Sequence, residues 1–256
     1  MRIIDTHCHL NDETLFKDLD NVISRAQQAG VEKMVVIAWD KASSELAIKL
    51  AEQFDFIYAT VGIHPENIFD VSEKELYETL ELSKHPKVVA IGEIGLDYHW
   101  TKEPEKRELQ KEFFVKQIEY ANKVGLPISV HNRDAFNDTL EILKNHKPEH
   151  GGVMHCYSGS VAILNEIINL NMYIGLGGPL TFTNAKTPKE VAAEVPLDRL
   201  VVETDCPYLA PHPLRGTVNE PANITFVVDA IAEARGMSKK TLLEALYQNS
   251  CKLFNL

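Results

Sequence analysis

Eight short runs rich in valine, isoleucine and leucine recur along the chain, each followed by a helix-patterned or polar segment. They span 2–10, 31–38, 55–65, 87–98, 126–135, 151–159, 172–179 and 199–209. Their apolar content is nearly continuous, as suits parallel strands covered on both faces. Eight strand-then-helix units in 256 residues match a single (β/α)8 barrel of the TIM type, which typically takes about 250 residues. An open doubly wound sheet is the alternative. No low-complexity segment, charge block or Pro/Gly-rich linker divides the chain, so one domain over 1–256 is expected.

The segments between the runs carry helix signals. Leu109, Phe113, Phe114, Ile118 and Ala121 recur at three- and four-residue spacing before Gly125, which predicts a helix over 106–125 with that face on the sheet. Thr187, Pro188 and Glu190 read as N-cap, first helical residue and capping-box partner of a helix ending near Val195. A loop at 210–223 follows the last run, and helices over 221–235 and 239–254 close the chain.

Ionisable residues gather at the C-terminal ends of the runs. His7 and His9 end the first, His64 the third, Glu93 and Asp97 the fourth, His131 the fifth, His155 the sixth, and Glu203 and Asp205 the eighth. In a barrel those ends share one mouth, where active sites lie. Strand alternation sorts the opening Thr6-His7-Cys8-His9-Leu10: His7 and His9 converge, while Cys8 turns away as a small packing residue.

Imidazole and carboxylate donors without thiolate suit Zn, Mn, Fe, Ni or Mg. The donors exceed what one tetrahedral ion needs, so two divalent ions are expected, with Glu93 as candidate bridge. Ions about 3.5–4 Å apart clamp the attacking and leaving oxygens of an in-line displacement and acidify water. Asp205 suits a dual role as ligand and proton acceptor. The expected activity is therefore hydrolysis, with Asp205 and Glu93 as catalytic residues.

Several ordered motifs resemble the TatD family of metal-dependent deoxyribonucleases, within the amidohydrolase-like barrel hydrolases. They are DTHCHL at 5–10, VGIHP at 61–65, IGEIGLDYHW at 91–100, HNRDA at 131–135, HCYSG at 155–159, and ETDCPYLAPHPLRGTVNEPAN at 203–223. The resemblance covers essentially the whole chain. It implies that His7, His9 and Asp205 hold one ion, that His131 and His155 hold the other, and that Glu93 bridges. It also suggests Glu203 as an accessory ligand, with a third ion as an open alternative. Related binuclear enzymes often bridge with a carboxylated lysine on the fourth or fifth strand. Here Lys87, the only lysine of the fourth run, stands at its wrong end. Thr217 departs from the family by standing where many members carry lysine.

For the substrate, His64, Arg133, Tyr157 and Arg215 are the candidate contacts. His64 is a hydrogen-bond donor to phosphate or a rim residue. Arg133 and Arg215 are phosphate forks or partners of Asp134 and Glu220. Tyr157 and Tyr208 are base-stacking platforms or packing residues, with packing the stronger reading for Tyr208. Asp97 and Tyr98 either orient a ligand imidazole or cap the following turn. Trp100 stands past the fourth run, where it can line the mouth. Gly92, Gly95 and GLGG at 175–178 lack phosphate-loop spacing and read as close-packing turns.

A net charge of −11 disfavours a broad phosphate-binding surface, although bound cations invert the field locally. DNA bound at the metal site is thus the expected partner, with no membrane and no obligate protein partner indicated. A small-molecule C–N or lactone hydrolase with the same ions is the alternative, and a non-catalytic scaffold is a third reading. The cysteines at 8, 156, 206 and 251 form no CxxC pair, which argues for reduced thiols. With neither a leader pattern nor an apolar run near the roughly 18 residues of a span, a cytoplasmic protein is expected.

Overall fold

The computed structural model describes residues 2–256. Among them, eight strands follow one another in a sheet ordered as in the sequence. They are β1 (Ile3–Cys8), β2 (Val31–Val36), β3 (Ile57–Val61), β4 (Val88–Asp97), β5 (Ile128–Arg133), β6 (Gly152–Met154), β7 (Met172–Leu176) and β8 (Leu200–Val202). The defined registers are parallel, and helices fill connections between strands. A doubly wound sheet reverses its order at a switch point. This order does not, and the fold is a (β/α)8 barrel. Every strand is shorter than its apolar run, because the run's tail leaves the ladder as loop and carries site residues such as His9, His64, His155 and Asp205.

The residues pack as two compact units. The first comprises the chain up to Val36 with Cys156–Leu164 and Ile174–Leu256. In it β1 pairs with β2 (Ile4 opposite Lys33, Asp5 opposite Met34) and β7 with β8 (Ile174 opposite Leu200). The helix Lys239–Phe254, as expected from its pattern, packs on β1 and β8. It buries Leu242, Leu246, Leu253 and Phe254, each contributing about 1.5–3 kcal/mol of apolar burial. The Asn249 amide donates to the carbonyls of Leu197 and Leu200, which fixes the entrance of β8.

One local expectation in this unit is corrected. The helix after β7 spans Lys186–Glu194 with Ala185 at its N-cap and no side-chain cap, so Thr187 and Glu190 form no capping box. The chain turns into the helix earlier, through the Ala185 N–H to Phe182 carbonyl bond. Pro188 then falls in the first turn, where its missing N–H has no intrahelical acceptor to lose.

The second unit comprises Ile37–His155 and Asn165–Tyr173. Its strands β3 to β6 pair in order, with Gly95 opposite His131 and Asp97 opposite Arg133. The helix Pro104–Val124 packs on β4 and stops at Gly125, whose φ of 78° is the left-handed cap that glycine supplies. Its buried face holds Phe113, Phe114, Ile118 and Ala121. Leu109, expected there, is only half-buried, while Gln110 and Gln117 are fully buried beside the aromatics. No described helix is long and apolar enough to cross a membrane.

Candidate metal sites

In the first unit, the barrel's opening strand is knotted to the loop after β8. The Asp5 carboxylate accepts the Thr204 N–H and hydroxyl at 3.0 and 2.6 Å. Thr6 donates to the Val202 carbonyl. The Asp205 N–H donates to the His7 carbonyl and the His9 N–H to the Cys206 carbonyl, each at 2.8 Å. Asp205 lies in the left-handed region at φ 57°, which aspartate tolerates better than most residues.

This knot brings three donors together. His7 Nε2 lies 3.3 Å from His9 Nε2, and Asp205 Oδ1 lies 3.5 Å from the first and 3.3 Å from the second. Two ligand bonds of about 2.0–2.1 Å at the tetrahedral angle put their donor atoms about 3.3 Å apart. The spacing therefore fits one shared cation. The Cys8 thiol is directed elsewhere and donates to the Val35 carbonyl, as alternation requires. Glu203 is fully buried and accepts the Cys156 N–H at 2.5 Å. Burial, which outweighs the Thr204 bonds, pushes the Asp5 carboxyl up to about 7.

In the second unit, Glu93 is the hub. Its Oε1 is 2.9 Å from His131 Nδ1, 2.9 Å from His155 Nε2 and 3.8 Å from His64 Nε2, and the residue is 4 % exposed. Imidazoles converging on one carboxylate oxygen form a donor set that a divalent cation takes. Burial works against a charged His131, yet the Asp97 and Glu93 carboxylates outweigh it and hold its pKa above the ordinary value. Burial, then the neighbouring His131, drives His64 down to about 3, so it is neutral. The Glu66 N–H donates to His64 Nδ1, which leaves the proton of the neutral ring on Nε2.

Asp97 carries out both jobs that the sequence left open. One oxygen sits 3.0 Å from His131 Nε2, while the other accepts the N–H groups of His99 and Trp100. His131 thus has its far nitrogen fixed by a carboxylate and its near nitrogen facing Glu93. Such outer partners set ring orientation and basicity, and their loss typically costs 10–100-fold in metal affinity. Asp97→Asn is expected to weaken cation binding by about that factor in calorimetric titration; an unchanged isotherm would refute the role. Tyr98 instead donates its hydroxyl to Asp138 and lies outside this relay.

Two functional residues escaped the reading of the sequence. Gln117 accepts the Ile63 N–H and donates back to the Ile63 carbonyl. Gln110 accepts the Asp97 N–H and donates to the Pro65 carbonyl and the Thr101 hydroxyl. These two amides hold the loop bearing His64 and the end of the strand bearing Asp97. The signal was present as two glutamines seven residues apart on the apolar stripe of one helix. Buried amides in such places are there for their hydrogen bonds.

The expected substrate contacts separate. The Arg133 guanidinium lies 5.6 Å from the Trp100 ring centroid, while Asp134 pairs with His99. Arg215 stacks 4.4 Å over Phe182, while Glu220 is taken by Arg25. Tyr157 is buried and its hydroxyl donates to the Ser160 carbonyl, so its ring packs where a base-stacking role had been considered. Tyr208, expected to pack in the core, is 55 % exposed, edge-on to His9 with its hydroxyl on Asp12. Thr217 closes a turn onto the Leu214 carbonyl through its N–H and hydroxyl, and the second of these bonds is one that lysine could not make.

Comparison with known proteins places these clusters in context. A family profile described as TatD related DNase matches residues 4–255. The uncharacterized metal-dependent hydrolase YabD of Bacillus subtilis (strain 168) is 47% identical over 99% of both chains. The crystal structure of YjjV, a TatD homolog from Escherichia coli K12, superposes with a TM-score of 0.94 at 32% identity, covering 99% of this chain and 98% of the other. An amidohydrolase from Burkholderia multivorans with bound zinc shares the fold at a TM-score of 0.70 and 13% identity, over the full length of both chains.

Proposed function

The chain is a metal-dependent hydrolase belonging to the TatD-related DNase family, and on that premise we propose that it cleaves phosphodiester bonds of DNA, in the cytoplasm, with two divalent cations. His7, His9 and Asp205 hold one cation; Glu93, His131 and His155 hold the other; Glu203 is an accessory group beside the first. The observation that carries the choice of phosphate is on β5, where His131 is a candidate ligand and Arg133, two residues on, presents an exposed guanidinium at the end of the same strand. A planar fork of that kind suits phosphate oxygens. Cys8, Cys206 and Cys251 are free thiols, in keeping with a reducing compartment.

Bound divalent cations supply Lewis acidity toward a phosphoryl oxygen and acidify water. The chain's own groups then have defined tasks. Asp205 accepts a proton from the water that attacks phosphorus, as the P–O bond to the leaving sugar oxygen breaks and that oxygen takes up a proton. Neutral His64 donates through Nε2 to a non-bridging oxygen. Arg133 and Arg215 orient flanking phosphates. The acidic net charge confines DNA to places where cations offset it.

The test is a direct contest of substrates. Metal-loaded protein is given end-labelled single- and double-stranded DNA beside a panel of lactones, cyclic amides and N-acetyl compounds. Cleavage of DNA well above the panel is expected. Turnover of a panel member well above DNA would instead make it an amidohydrolase.

A further inference from the structure

Asn219 lies outside every helix and strand, yet it is fully buried. Its amide nitrogen donates to the Thr204 carbonyl at 2.9 Å and to the Tyr208 carbonyl at 2.8 Å. Carbonyls only accept, so these partners fix which end of the amide is nitrogen. Its amide oxygen accepts the Glu220 N–H and the Asn223 amide, each at 3.0 Å. The Asn219 backbone N–H reaches the Pro207 carbonyl, also at 3.0 Å. Both donors and both lone pairs of the side chain are therefore taken, as burial of an amide demands. Glu220, which supplies one of those bonds, is itself clamped by Arg25 at 2.7 Å from the helix Leu19–Gln28.

These bonds enclose the turn that carries Asp205. The Thr204 carbonyl and the Asp205 N–H belong to one planar peptide group. Asn219 holds the carbonyl, and the His7 carbonyl holds the N–H at 2.8 Å. That plane cannot rotate without breaking a buried bond on each side. Beyond Asp205, Tyr208 donates its N–H to the Asp205 carbonyl and gives its own carbonyl to Asn219. Asp205 sits at φ 57°, a conformation that persists in a residue with a Cβ only where the surroundings impose it. The backbone so fixed aims the carboxylate, whose Oδ1 stands 3.5 Å from His7 Nε2 and 3.3 Å from His9 Nε2. We propose that Asn219 is a positioning residue: by bonding the carbonyls on both sides of Asp205, it sets the spacing of the His7, His9 and Asp205 donors. Cation affinity and turnover then depend on a side chain outside the donor set. This rests on the role of Asp205 as ligand and proton acceptor proposed above.

The test reads cation binding without any substrate, so its outcome is independent of the nuclease proposal. Metal-free wild type, Asn219→Ala, Asn223→Ala and Asp205→Asn are titrated with Mn2+ by calorimetry, beside thermal melts of the same samples. Asn219→Ala is expected to weaken one ion by about 10- to 100-fold, the usual cost of losing a group that orients a ligand, and to leave the other ion unchanged. Asn223→Ala removes one partner of the Asn219 oxygen and orphans no backbone carbonyl, so it should fold and weaken the same ion by less. In the Asp205→Asn protein, Asn219→Ala should cost nothing further in affinity or turnover, because the group it acts through is gone. A purely structural bolt would lower the melting point, weaken both ions alike and add its cost to that of Asp205→Asn. Unchanged affinities in Asn219→Ala, equal weakening of both ions, or a full loss on top of Asp205→Asn would overturn the positioning role. Should Asn219→Ala fail to fold, Asn223→Ala decides by the same outcomes. If Asp205→Asn itself binds both ions as the wild type does, Asp205 is no ligand and the role of Asn219 falls with it.

Discussion

Asp205→Asn is expected to fold as the wild type does and to lose about 100- to 10,000-fold in turnover, the range that a positioned proton-transfer group supplies. Asparagine also tolerates the left-handed backbone that Asp205 adopts at φ 57°. The Asp205 N–H to the His7 carbonyl and the Tyr208 N–H to the Asp205 carbonyl are backbone bonds, which the substitution leaves in place. What it removes is the negative charge within 3.5 Å of both His7 and His9, and with it the base. Steady-state hydrolysis beside a thermal melt separates the two effects. A variant that melts with the wild type but turns over within threefold of it would remove Asp205 from the chemistry.

Glu93→Gln should be as damaging through another route. One oxygen of Glu93 faces His131 and His155 at 2.9 Å each, and the amide that replaces it carries no charge to balance a cation. Loss of at least one ion per chain is expected, together with a fall in turnover of the same order, about 100- to 10,000-fold. Cation saturation should stabilise the wild type by about 2.7 kcal/mol at a hundredfold excess over its dissociation constant, and the variant by less. A variant that keeps the wild-type metal content and midpoint would contradict the role assigned to Glu93.

The barrel was legible because the apolar runs report strands directly, and because helix patterns follow them often enough to count eight units. The ligand candidates were legible for a related reason: a histidine or carboxylate at the end of an apolar run has little packing purpose there. Strand ends were less legible, since residues such as Ile63 and Tyr157 are buried in loops as thoroughly as in strands. Alternation sorted His7 and His9 from Cys8 correctly, as the Cys8 bond to the Val35 carbonyl shows.

Other features were beyond that kind of reading. Gln110 and Gln117 interrupt an apolar stripe, and a search for apolar periodicity passes over the polar residues that brace the neighbouring loops. The capping box at Thr187 failed because a turn from Phe182 to Ala185 starts the helix before the capping residues arrive. Tyr208 and Trp100 have the same composition signal as a core aromatic, and only their surroundings decide that both stand in water. Asp97 offered two readings because a carboxylate has two oxygens, and here each oxygen takes one of them.

The central claim is that these histidines and carboxylates hold cations that the hydrolysis of DNA requires. Metal counting by mass spectrometry on reconstituted wild type and His131→Ala, with cleavage of labelled DNA measured on the same samples, tests it most directly. About two ions in the wild type are predicted, the number a two-metal displacement uses, with one lost in the variant along with most of the cleavage. Fewer than about one ion in the reconstituted wild type, or a His131→Ala protein with unchanged metal content and unchanged cleavage, would contradict it.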